Sequence, residues 1–305
     1  MRTYGSQSLV APLKRVMVKR PTESAADAAR WREFGYLHAP DAERLRAEHA
    51  AFVALVAASG AEVLYEDEIV PVPTHLLDAI FVYDPAIVTD AGAIIGQPGK
   101  PLRRGEDDAM RRAFSEIGVP ILGIVGGEAT MDGGDTLWLD HDTLCVGLSY
   151  RTNDAAIIQL RDLLAPLGVT VMPFPLPHWR GPAECLHLMS LISPVAEDLA
   201  VVYPSLMPIP LMRLLEERGI QQIVVPDAEF PTLGCNVLAV APYNVIIAAG
   251  NPVTGAALRA VGCTVREYKG AEISLNREGG PTCLTRPILR SNEQRAMRVG
   301  NRPAR

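Results

Sequence analysis

The stretch Ala57-Ala58-Ser59-Gly60-Ala61-Glu62-Val63-Leu64 reads as a helix end, a glycine and the opening of a β-strand, and the chain writes it five times. It returns as Ser115-Glu116-Ile117-Gly118-Val119-Pro120-Ile121-Leu122 and as Ala165-Pro166-Leu167-Gly168-Val169-Thr170-Val171-Met172. The other copies are Glu216-Glu217-Arg218-Gly219-Ile220-Gln221-Gln222-Ile223 and Arg259-Ala260-Val261-Gly262-Cys263-Thr264-Val265-Arg266. Glycine follows each helix because the residue there commonly turns left-handed, where a Cβ is penalised. The β-rich run after it returns the chain to a sheet.

Working outward, two apolar runs joined by a short polar turn precede four of these helices, which predicts β-hairpins. The expected pairs are Ile80–Val82 with Ala86–Thr89, Thr136–Leu139 with Leu144–Leu148, Met189–Pro194 with Leu199–Tyr203, and Val237–Val240 with Val245–Ala248. The first unit opens on Lys14–Lys19 alone, and the C-terminal run Cys283–Leu289 is its expected partner. Five hairpin–helix–strand units closed by a terminal strand predict a pseudosymmetric five-unit α/β propeller with loops converging on a central site. The expected organisation is a single domain over residues 1–290 and a flexible basic tail over 291–305, where Arg295, Arg298, Arg302 and Arg305 have almost no apolar company. The long connection 21–41, with Trp31, Tyr36 and His38, reads as a lid or an ordinary surface excursion.

Composition narrows the function. A hydrophobic share of 48% with 21% charged residues is that of a globular protein, and a net charge of -6 speaks against nucleic acid as a partner. No apolar run approaches the roughly 18 residues that cross a bilayer, and the start has no signal-peptide pattern, so the expected location is the cytoplasm. Five cysteines scattered without a Cys-x-x-Cys pair support neither a disulfide framework nor a zinc knuckle.

Chemistry gathers at the unit junctions. Near the C-terminus, Glu278-Gly279-Gly280-Pro281-Thr282-Cys283 forms a rigid turn that delivers a cysteine, with Arg277 and Arg286 close in sequence. Backbone N–H groups and cations around such a sulfur favour the thiolate; the alternative is a buried, inert thiol. Asp78 and Asp84 bracket a run in unit two, with Arg103 beyond it. Asp132-Gly133-Gly134-Asp135 opens unit three, Ser149-Tyr150-Arg151-Thr152-Asn153 ends its hairpin, and Leu186-His187-Leu188 opens unit four. Turn chemistry alone can account for each Asp-Gly or Asp-Pro pair, so it is their joint placement that points to a site.

These phrases, followed in order by Gly279-Gly280-Pro281-Thr282-Cys283-Leu284, resemble the guanidino-group-modifying superfamily of arginine deiminases, dimethylarginine dimethylaminohydrolases and amidinotransferases. The likeness runs from Lys14 to Arg290, and the Arg-Thr-Asn and Leu-His-Leu phrases are most similar to the dimethylarginine dimethylaminohydrolase branch. The resemblance implies the five-unit α/β propeller, or pentein fold. It further implies Cys283 as nucleophile, His187 as general acid and base, and Asp132 holding the guanidinium with Asp84 as a second carboxylate. Arg103 and Arg151 are then expected at the substrate's carboxylate end and Asp78 at its amino end. No cofactor or metal is expected. The partner is a small guanidino compound, neither nucleic acid nor membrane, with room for a homodimer. Tyr83-Asp84 and Met189 depart from the branch's usual residues, which leaves the substrate open among dimethylarginine, arginine and other guanidino or ureido compounds.

The implied reaction is attack of a thiolate on the guanidinium carbon and release of an amine, then hydrolysis of an S-alkylthiouronium to a ureido product. An arginine deiminase, or an amidinotransferase in which an amine takes the place of water, is the alternative on the same thiol chemistry, and two readings of other kinds compete with it. Asp140-His141-Asp142 is the one candidate cluster for metal-dependent guanidine hydrolysis, though Asp-rich turns are ordinary between strands. A non-catalytic guanidino-binding protein would keep the propeller but have no use for an activated thiol.

Overall fold

In the computed structural model, which describes residues 2–22, 30–184 and 186–291, each helix-ending glycine of the repeat is left-handed. Gly60, Gly118, Gly168, Gly219 and Gly262 have φ between 66° and 91°, and a Cβ at any of them meets nothing within 4 Å. Backbone conformation, and not space, therefore demands glycine at these five places.

The units are built alike. Unit one has β1 (Leu13–Val18), α1 (Ala42–Ala57) and β2 (Glu62–Tyr65). Unit two follows with a short α2 (Glu66–Ile69), β3 (Ala86–Thr89), β4 (Gly92–Ile95), α3 (Glu106–Glu116) and β5 (Ile121–Ile124). Unit three has β6 (Thr136–Asp140), β7 (Thr143–Leu148), α4 (Asp154–Leu164) and β8 (Thr170–Pro175). Unit four has β9 (Ile192–Ala196), β10 (Leu199–Val202), α5 (Ile209–Glu217) and β11 (Gln221–Val224). Unit five has β12 (Leu238–Ala241), β13 (Asn244–Ala248), α6 (Pro252–Ala260) and β14 (Thr264–Tyr268). The last strand, β15 (Arg286–Arg290), joins unit one antiparallel to β1, so each unit holds one three-stranded sheet. In each sheet the middle strand pairs antiparallel on one side and, after the helix crossover, parallel on the other.

Strand alternation closes the ring. Successive side chains point to opposite faces, and the middle strands are apolar on both. Ile94 faces the core shared with units three and four, whereas Ala93 and Ile95 join Met17 and Ile288 of unit one. Leu199 and Val201 of unit four pack with Val245 and Ile247 of unit five, while Ile246 and Ala248 turn to Val16, Val18 and Phe52 of unit one. Every unit thus shares its core with its neighbours, and the chain is a five-unit α/β propeller. No helix among the described residues is long and apolar enough to cross a membrane.

Two expectations need correction. Ile80–Val82 is not a hairpin strand, because Leu77–Ile80 forms a 3-10 turn, and Ala86–Thr89 pairs instead with Gly92–Ile95 around the tight turn at Asp90 and Ala91. In unit four the strand starts at Ile192, not Met189, because Leu188–Ser190 is also a 3-10 turn. Cys185, residues 23–29 of the long connection and the basic tail from 292 onward lie outside the described residues.

Replacing Gly219 by alanine puts a Cβ on a left-handed residue at an open site, so its cost is purely conformational. Urea unfolding is expected to show a loss of about 1–2 kcal/mol with an unchanged denaturant slope.

Candidate active site

Each unit sets one polar side chain just ahead of the first strand of its antiparallel pair. These are Asp84 before β3, Asp132 before β6, His187 before β9, Asn236 before β12 and Cys283 before β15. Asp84, Asp132, His187 and Cys283 line one cavity of about 470 Å³ counting its open mouth, together with Asp78, Arg103 and Arg151. All seven residues singled out in the sequence therefore meet in one place.

Asp84 is buried, and three groups hold it there. Arg103 donates from Nη1 to its Oδ2, the Gly134 N–H donates to Oδ1 at 2.8 Å, and the Gly133 N–H donates to its carbonyl at 2.7 Å. Burial alone raises a carboxyl, but the Arg103 guanidinium and His187 outweigh it and keep Asp84 below the usual range. Asp132 accepts from the Gly99 N–H at 3.1 Å, and its Oδ2 lies 3.2 Å from His187 Nε2. His187 Nδ1 lies 4.0 Å from Asp84 Oδ1, so the buried imidazole bridges the two carboxylates. Asp135 anchors this junction from behind, accepting from the Ser149 hydroxyl at 2.6 Å and the Leu188 N–H at 3.0 Å. Burial pushes its carboxyl up to about 6.

Asp84, Asp132 and His187 offer ligand atoms within 4.8 Å of one another, which would suit a metal ion or a flat organic cation. Asp84 accepts one protein donor on each oxygen, which fixes its orientation and leaves a lone pair on each for a further partner. The Asp140-His141-Asp142 trio sits in the β6–β7 turn: His141 bonds Asp142 and Asp90, and Asp140 pairs with Arg218.

Cys283 ends the turn as expected and is half-buried. Its sulfur accepts from Asn236 Nδ2 at 3.3 Å, and the same amide's oxygen takes the Thr282 N–H at 3.0 Å. Asn236 thus fixes both the turn and the sulfur. Arg286, close in sequence, is spent elsewhere, stacking over the Tyr83 ring at 3.7 Å and donating to the Tyr83 carbonyl. Gly280 permits the close approach, because a Cβ there would run into the Asn236 side chain.

The remaining residues take positions their sequence did not show. Arg103 spends its donors on Asp84, Glu106 and the Phe81 carbonyl. Burial pushes Glu106 up to about 7 even with Arg103 opposing it. Asp78 accepts from Arg277 on both oxygens and from Lys100 at 3.3 Å. Arg151 donates to the Glu184 carbonyl at 3.3 Å at the cavity wall. Tyr36 and His38, in the connection read as a lid or an ordinary surface excursion, line neither of the cavities at the site; Tyr36 is buried with its hydroxyl near the Leu77 carbonyl, and His38 is exposed. Sequence reasoning missed Asn236, Lys100 and Glu106. The register of the repeat was a signal for Asn236, since it occupies in unit five the place of His187 and Cys283.

Two outcomes test this geometry. Gly134→Ala places a Cβ 2.8 Å from Asp84 Oδ1 and against the His187 ring. Since a misplacement of about 1 Å can cost about a hundredfold, activity is expected to fall to that degree, with a lower thermal midpoint from the overpacked site. In timed iodoacetamide labelling with peptide mapping, Cys283 is expected to react ahead of Cys145 and Cys235. Burial pushes the Cys145 thiol up to about 12 and the Cys235 thiol further still.

Comparison with known proteins bears on the family and the fold. The family described as N,N dimethylarginine dimethylhydrolase, eukaryotic, matches residues 17–274. The chain is 28% identical over 231 residues to an N(G),N(G)-dimethylarginine dimethylaminohydrolase of Streptomyces coelicolor, covering 70% of this chain and 80% of the relative. It is also 28% identical over 254 residues to an arginine deiminase of Listeria welshimeri, covering 70% of this chain and 61% of that one. A dimethylarginine dimethylaminohydrolase from Pseudomonas aeruginosa, solved with citrulline, shares the fold with a TM-score of 0.75 at 21% identity, over 91% of this chain and 100% of that chain. A five-sheet propeller, a cysteine, a histidine and two carboxylates at the unit junctions, and a family match over most of the sequence lead to one conclusion: the chain belongs to the dimethylarginine dimethylhydrolase family, a branch of the guanidino-modifying superfamily whose members hydrolyse C–N bonds of amidines.

Proposed function

We propose that the chain hydrolyses an N-substituted guanidino acid of the dimethylarginine type to a ureido acid and an amine through a covalent bond to Cys283. The observation that carries this reading is the meeting of Cys283, His187, Asp84 and Asp132 in one cavity, with His187 Nε2 3.2 Å from Asp132. A guanidinium is flat, cationic and rich in N–H donors, which suits two carboxylates held in fixed positions by backbone N–H groups.

Asp132 and Asp84 grip the guanidinium edges while Cys283 reaches its carbon. The thiolate adds to that carbon, the bond to the leaving nitrogen breaks, and the electron pair leaves with that nitrogen as His187 gives it a proton. An S-alkylthiouronium remains on Cys283. His187, now neutral, takes a proton from water as the oxygen attacks, and collapse of this adduct returns the thiolate and frees the ureido acid. Asn236 holds the sulfur in place throughout.

In the same cavity, the lining cations Arg151 and Lys100 are the groups for the substrate's carboxylate. In this reading Arg103 acts through Asp84, which it holds in place while its other donors go to Glu106 and the Phe81 carbonyl. Asp78 likewise sets Lys100 and Arg277, since a substrate ammonium would have to displace one of them. The deiminase relative and the departures at Tyr83 and Met189 keep unsubstituted arginine as the second substrate to test.

Arginine, monomethylarginine and dimethylarginine incubated separately, with mass-spectrometric detection of citrulline, test the reading. Wild type is expected to convert the methylated substrates, and Cys283→Ser none of them. His187→Ala is expected to bind them while kcat falls by about 10²–10⁴-fold, the range of general acid–base catalysis. Full activity in either variant contradicts the assignment.

A further inference from the structure

Cys283 and His187 stand between two chambers of opposite character. The first is the charged cavity already described. The second, of about 690 Å³ counting its open mouth, shares Cys283, His187 and Glu278 with the first, but Trp179, Phe230, Leu233 and Met189 make its walls mainly apolar, with Asn236, Ser190 and Thr282 as polar points among them. These side chains form a built surface. Trp179 meets Phe230 edge-on with ring centroids 5.8 Å apart, and Phe230 stacks on Tyr203 at 3.9 Å. Trp179 and Leu233 both hold a left-handed backbone, with φ of 46° and 66°, a conformation that costs a bulky residue energy and is kept where surrounding structure requires it.

We propose that this chamber receives an apolar substituent on the departing nitrogen of the guanidine, so that the preferred substrates carry a group of about benzyl size in place of methyl. The inference rests on the reading of the site as a guanidine hydrolase and specifies its substrate class. A methyl group is comparable in size to a water molecule, about 30 Å³, and leaves most of the chamber to water against apolar walls. A branched or aromatic group displaces that water and meets the rings of Trp179 and Phe230. With the guanidine's acid chain placed toward Lys100 and Arg151, which line the charged cavity and not the apolar one, the nitrogen beyond the reacting carbon is the one directed to the apolar chamber. When its C–N bond breaks, that nitrogen takes the bonding pair and a proton from His187 and leaves as a primary amine. Water supplies the oxygen of the ureido acid, which is the same product whatever the substituent.

The common product allows a direct comparison. Nω-methyl-, Nω-isobutyl- and Nω-benzyl-arginine are assayed for citrulline formation, and the benzyl-to-methyl ratio of kcat/KM is compared among wild type, Phe230→Ala and Trp179→Ala. The wild-type ratio is expected to be about tenfold or more, in line with the worth of added apolar groups in a fitted pocket. Each variant is expected to lower it about fivefold or more, and taking the ratio cancels any general loss of folded enzyme. Turnover of the methyl compound with a ratio at or below unity in wild type overturns the proposal. If no compound is turned over, calorimetry on Cys283→Ser separates the two readings. Tighter binding of the benzyl than of the methyl compound, lost when Phe230→Ala is added, keeps the chamber and sinks the hydrolase. Equal binding overturns the chamber itself.

Discussion

The site depends on the buried guanidinium of Arg103. A carboxylate cannot be taken out of water unless something replaces its hydration, and Asp84 is nearly inaccessible. Arg103 supplies one charge-assisted bond and the Gly134 N–H another. Arg103 is in turn fixed by Glu106 in the first turn of α3, three residues on. A helix of unit two thereby sets the position of a carboxylate beside a histidine from unit four. Removing Arg103 would strand Asp84 and Glu106 as buried, unpaired acids, the kind of loss that costs about 3–5 kcal/mol.

The ring gives this pair its company. No unit can bury both faces of its middle strand alone, so each borrows its neighbours, and the five junctions are drawn to one axis. The consequence is chemical: five segments far apart in sequence each contribute one polar residue, and four of them, Asp84, Asp132, His187 and Cys283, share a cavity. The fifth, Asn236, holds the sulfur. Pseudosymmetry of the backbone becomes asymmetry of function because each unit bears a different side chain at the same register.

Much of this was legible from the chain alone. The repeated glycine is a backbone requirement, so it survives in the sequence whatever packs around it, and Gly60 to Gly262 marked all five units. The pairing of Leu13–Val18 with the C-terminal strand followed from an unpaired first strand. What was hidden depended on partners. Nothing in Phe81-Val82-Tyr83-Asp84 says that the apolar run is a connection rather than a strand; the 3-10 turn at Leu77–Ile80 and the bonds to Asp84 decide it. The sequence shows that Arg103 and Asp78 are charged, but not that Glu106 and Arg277 already satisfy them. The apolar chamber was equally invisible, since Trp179, Met189 and Phe230 come from different loops and share no spacing.

The central claim is that Cys283 carries the guanidino carbon during turnover. Acid quenching of wild type in the steady state with dimethylarginine, followed by intact-mass analysis and peptide mapping, tests it most directly. The account predicts a covalent adduct of the amidino acid on the peptide containing Cys283, absent from the other cysteine peptides and from Cys283→Ser. Sustained citrulline formation by Cys283→Ser, or turnover in wild type whose only adduct lies on another residue, contradicts it.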